Sequence, residues 1–171
     1  MAAILCGFAA ILSLILTHSA SASGHVVASV PAVSPNDREA IADRFVKQEL
    51  QLWQDRLDLK DWDVHVALVH PSALEPKTLG NIHWDADTKK ATICVLSAYD
   101  YTLPLQAMLD DMEVTIVHEL VHLHLSSLPR SEATSRNEEH AVVELTKALL
   151  KLSKQATPAA SSSSDRQGSA R

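Results

Sequence analysis

His118, Glu119 and His122 form an H-E-x-x-H sequence inside the apolar run from Val114 to Leu125. On an α-helix, residues four apart sit about one turn apart and about 40° round the axis. Both imidazoles therefore project from one face, spaced to hold one metal ion, and Glu119 stands beside them. This set predicts a zinc-dependent hydrolase: His118 and His122 as ligands, Glu119 as the base that takes a proton from a metal-bound water. The bland counter-reading is a core helix that happens to carry these residues. It is the weaker one, because burying three such groups unpartnered costs several kcal/mol. Pro and Gly are absent from Leu105 to Leu128, so the motif can sit within one helix.

A catalytic zinc takes three protein ligands and keeps a position open for water. Downstream of His122 the candidates for the third are Glu138 and Glu139. The expected apolar stripe of the last helix is Ala141, Val142, Leu145, Ala148, Leu149 and Leu152. By helical rotation, Glu138 falls about 20° from the centre of that stripe and Glu139 roughly 120° away. A carboxylate on a buried face needs a partner, which favours Glu138, with Glu139 the alternative. Glu138 has a competing role, since Ser135-Arg136-Asn137-Glu138 is also an S-x-x-E capping box. That role disappears if the helix starts at Ser131. His124 lies about 200° round the helix from His122 and cannot share its ion. His65, His70 and His83 read as exposed or hydrogen-bonded strand residues. Tyr99, Tyr101, Arg130 and His140 are candidate oxyanion donors, and Asp111 is a candidate carboxylate partner for a ligating imidazole.

Several elements must position these groups. Ser34-Pro35-Asn36-Asp37 predicts the start of a first helix, with Ser34 as cap and Pro35 at its first turn. Its apolar stripe is Ile41, Phe45, Leu52 and Leu57, widened by Val46 and Trp53. Strands are expected over Trp62 to Val69, Leu79 to Asp85 and Ala91 to Ser97, the last two as a hairpin. The motif helix is expected from about Thr102–Pro104 to Leu128, stopped by Pro129. The last helix should run from Ser131 or Ser135 to Lys154.

Around this core the chain of 171 residues has room for one domain, about residues 34 to 155. Residues 1 to 23 are apolar and end in Ser19-Ala20-Ser21-Ala22-Ser23, a pattern of small residues that reads as a cleaved signal peptide. No Lys or Arg precedes the apolar run, so a retained membrane anchor is the alternative. Export, to the periplasm or the medium, is the expectation. Removal of the leader takes Cys6 with it and leaves Cys94 alone, without a partner for an internal disulfide. Residues 156 to 171, rich in Ala and Ser, read as a disordered tail. Net charge is −6 with no stripe of Lys and Arg, so nucleic acid is not an expected partner.

His118-Glu119-x-x-His122 followed by a glutamate on the next helix resembles the gluzincin branch of the zincin metallopeptidases. The order helix, three strands, motif helix, glutamate helix is similar to the compact zincin core of small bacterial and phage metallopeptidases, including the ImmA/IrrE-like group. Glu138-Glu139-His140-Ala141 matches the Glu-x-x-Ala pattern that often carries the third gluzincin ligand, and Thr115 suits the extended consensus. The resemblance implies an α+β domain and a zinc metallopeptidase acting on a peptide or protein substrate. It implies Zn2+ held by His118, His122 and Glu138, and Glu119 as general base. It also implies that the strand Ala91 to Ser97 is the edge that pairs with a bound peptide. Leu125 and Leu128 stand where a metzincin would need Gly and His. A metal-stabilised domain that binds or regulates without cleaving is the alternative function.

Overall fold

The computed structural model describes residues 33–128 and 132–156. The expected leader, Cys6, Arg130 and residues 157 to 171 of the expected tail lie outside the described residues, and residue 156, where that tail is expected to begin, is the last of a helix. The chain divides after Pro129 into two compact units. The first holds α1 (Pro35–Arg56), β1 (Asp63–Val69), β2 (Gly80–Asp85), β3 (Lys90–Leu96) and α2 (Leu105–His124). The second holds α3 (Glu132–Ala156). The class is α+β with one three-stranded sheet, as the sequence predicts.

α1 starts where its sequence says. The Ser34 hydroxyl accepts the Asp37 backbone N–H at 3.2 Å, and Pro35 fills the first turn, where its missing N–H costs nothing. Val46 and Trp53 of the expected stripe are buried, joined by Ala42 and Leu50, so the buried face is rotated about one residue from the expected Ile41, Phe45 and Leu52. Leu52 is 40% exposed. The helix carries apolar residues on two adjacent rows, and Trp53 decides which row turns inward. Its indole is the largest fully buried side chain among the described residues, and its Nε1–H donates to Glu113 Oε1 of α2 at 3.2 Å. The Arg56 guanidinium carbon lies over the same indole, 4.6 Å from its ring centroid. Glu49, one turn before Trp53, shares this seam. Burial first, and then the neighbouring Glu113 carboxylate, push its carboxyl above the ordinary range.

The sheet runs in the order β1-β3-β2. β1 pairs with β3 in parallel, Val66 opposite Ile93, and β2 pairs with β3 antiparallel, Ile82 opposite Ile93. The β2–β3 hairpin is the expected one. β3 is therefore the central strand and cannot be the open edge that a peptide would join. Both its flanks are already hydrogen-bonded, leaving β1 and β2 as the edges. Ala91, Ile93 and Val95, all buried, alternate with Thr92 and Cys94 along β3, so the more apolar face of the hairpin turns toward the helices. Ile93 is fully buried there, with Met108, Met112, Ile116, Leu120 and Leu123 of α2.

α2 is buried at every position from Thr115 to Leu123. It ends at His124, earlier than expected, and tightens into a 3₁₀ turn over Leu125–Ser127. Leu128 is extended, the conformation a following proline imposes. Among the described residues, no helix is long and apolar enough to cross a membrane.

Among the described side chains of α3, Val142, Thr146 and Leu150 are buried. Of the expected stripe Val142 is buried, but the buried face is displaced by about one residue: Leu145 is 44% exposed and Leu152 61%. α3 begins at Glu132, so residue 135 lies inside the helix and not at its start, the position the capping-box reading required.

Candidate metal centre

Helical spacing brings the two motif histidines together. His118 Nε2 and His122 Nε2 lie 3.2 Å apart, with ring centroids at 4.9 Å and planes crossing at 69°. Both rings thus aim the same nitrogen at one point instead of stacking. At a Zn–N bond of about 2.05 Å, two nitrogens 3.2 Å apart subtend an angle of ~103°, close to tetrahedral. The donor set and its spacing fit zinc. The same 3.2 Å also suits an N–H···N hydrogen bond when one ring carries the proton.

Both histidines and Glu119 are almost fully enclosed, at 4, 6 and 6% exposure for His118, His122 and Glu119. Glu119 lies about 100° round the helix from His118, on the side that faces the hairpin. Its carboxylate is close enough to the half-buried Cys94 to push that thiol up, second to the effect of burial. Cys94 is thus neither a strong nucleophile nor fully a core residue.

Thr115 sits one turn before Glu119 and is buried. Its hydroxyl donates back to the Asp111 carbonyl at 3.0 Å. The Asp111 carboxylate, considered as a partner for an imidazole, accepts the Tyr101 hydroxyl at 2.9 Å. Burial pushes both groups up, and for Tyr101 the Asp111 carboxylate adds to that shift. Tyr99, the other tyrosine considered as an oxyanion donor, gives its hydroxyl to Asn36 Oδ1 at 2.8 Å. His140 and His124 are exposed. Of the strand histidines, His65 pairs with Asp63 at 3.3 Å, His70 with Asp100 at 2.7 Å, and His83 is exposed, as expected of surface residues.

Glu138 and Glu139 are both half-buried residues of α3. Measured from the centre of the Val142–Thr146–Leu150 stripe, Glu139 lies about 20° away and Glu138 about 80°. The rotation of α3 thus exchanges the two residues relative to the stripe expected from sequence. One feature of the site escaped sequence reasoning: the close seat of Gly80 against α2, which a lone glycine at the start of a strand only hints at. No family model, curated protein or solved structure matches the chain.

Proposed function

We propose that the chain is a zinc-dependent peptidase of the gluzincin kind. The observation that carries this reading is the convergence of His118 Nε2 and His122 Nε2 at 3.2 Å, with Glu119 enclosed beside them on the same helix. His118 and His122 hold the ion as neutral imidazoles, so binding weakens as acid protonates them. The third ligand is a carboxylate of the Glu138–Glu139 pair. Glu138 is the one the Glu-x-x-Ala pattern indicates, with Glu139 the alternative. Zinc, when bound, supplies a Lewis acid for the scissile carbonyl and makes water a better nucleophile at neutral pH. Glu119 takes the proton as water oxygen bonds to the carbonyl carbon. It then delivers that proton to the amide nitrogen as the C–N bond breaks. The partner is a peptide or protein substrate, met outside the cytoplasm after export by the leader.

The test is Glu119→Gln, assayed with a peptide library on zinc-loaded protein. Turnover should vanish while zinc content stays at the wild-type level. Full activity in Glu119→Gln would refute the mechanism.

The enclosure of all three motif residues favours a second reading, a metal-stabilised domain that binds or regulates without cleaving. It predicts zinc uptake by the wild-type chain and no turnover on any peptide in the library.

A further inference from the structure

We propose that Gly80 is the positioning residue for Glu119. Lacking a side chain, it lets β2 seat directly on the motif helix, and that seat sets where the Glu119 carboxyl stands. The inference rests on the role proposed above for Glu119. Gly80 is buried at the start of β2, and its φ is not positive. Backbone freedom is therefore not why glycine stands there; space is. A Cβ at this position would lie 2.3 Å from Thr115 Cγ2, 2.8 Å from the Cys94 carbonyl oxygen and 3.7 Å from Glu119 Oε1.

Neither of the two close neighbours can give way cheaply. Thr115 is β-branched and helical, which restricts its χ1, and its hydroxyl is tied to the Asp111 carbonyl. The Cys94 carbonyl belongs to the central strand, hydrogen-bonded on both flanks. An added methyl must therefore push β2 away from α2. Glu119 follows Thr115 by one helical turn, so the two share a side of α2. Its Oε1 is at van der Waals distance from where that methyl would stand, so a displaced β2 changes what the carboxylate packs against.

Cys94 offers a readout that needs neither zinc nor substrate, because the Glu119 carboxylate helps hold its thiol protonated. Alkylation of Cys94, followed by mass spectrometry on chelator-treated full-length protein, tracks its thiolate fraction. Glu119→Gln should raise the rate at pH 8 roughly three- to tenfold. Gly80→Ala should raise it similarly and add nothing further in the Glu119→Gln chain. The same increase from Gly80→Ala in both backgrounds would show that the methyl merely opens Cys94 to water, and would overturn the proposal. An unchanged rate in either single variant overturns it too. Thr115→Ser removes Cγ2 and keeps the hydroxyl, so combining it with Gly80→Ala should recover part of the wild-type rate. That double variant is the one to measure if Gly80→Ala alone does not fold, and the further addition of Glu119→Gln completes the same comparison. A chain that cleaves no peptide would end the peptidase reading and leave the Gly80–Glu119 result legible by itself.

Discussion

Replacing His118 with alanine, with and without zinc, tests the metal centre most directly. The wild-type pair sets its two nitrogens 3.2 Å apart, a chord that suits tetrahedral zinc without rearrangement of α2. A ligand present at 100 times its Kd stabilises the folded chain by about 2.7 kcal/mol. Unfolding entropy near Tm is about 2.1 cal/mol/K per residue, or ~0.25 kcal/mol/K for the roughly 120 residues from α1 to α3. Zinc should therefore raise the wild-type Tm by about 10 °C. In His118→Ala one of the two converging nitrogens is gone, and the zinc-induced shift should fall to about 2 °C or less. The variant also loses packing at a residue only 4% exposed, so its zinc-free Tm should drop as well. The informative quantity is the difference between scans with and without zinc, not either Tm alone. Chelator-treated protein, re-scanned by circular dichroism after zinc is added, measures it. An equal zinc shift in wild type and His118→Ala would refute the assignment of this pair, and no shift in the wild type would refute the metal centre.

Glu139→Gln and Glu138→Gln should separate the two candidate carboxylates: the true ligand's variant loses at least tenfold in zinc affinity by competition with a chelating dye, the other little. Glu49→Gln should make stability less dependent on pH. The folded-state carboxyl is raised above its ordinary 4.5, so the wild type binds an extra proton when folded and loses stability as pH rises from 4.5 through the raised value. Urea titrations should accordingly find the variant similar to wild type in acid and more stable at neutral pH; a wild type that gains on the variant with rising pH would contradict this. Tyr101→Phe removes the donor to a partly buried carboxylate and should cost about 1–3 kcal/mol in the same titrations. Because Asp111 is then harder to ionise, that loss should shrink toward acid pH.

Much of the local structure is legible in the residues. Ser34-Pro35 starts α1, alternation marks β1 and the hairpin, and the i, i+4 spacing makes His118 and His122 neighbours. Each follows from backbone geometry acting over a few residues, so no distant contact is needed to read it. The rotation of the helices is another matter. α1 and α3 both turn about one residue from the stripes their apolar residues suggest, because each carries apolar side chains on neighbouring rows. Where such rows compete, the packing partner chooses: in α1 the indole of Trp53 and its Glu113 acceptor on α2 settle it. Strand order is also a tertiary decision, since alternation records which residues face the core and nothing about which strand lies between two others. The seat of Gly80 belongs with these, because the sequence shows a residue without a side chain and only the crossing of β2 over α2 shows what that space admits.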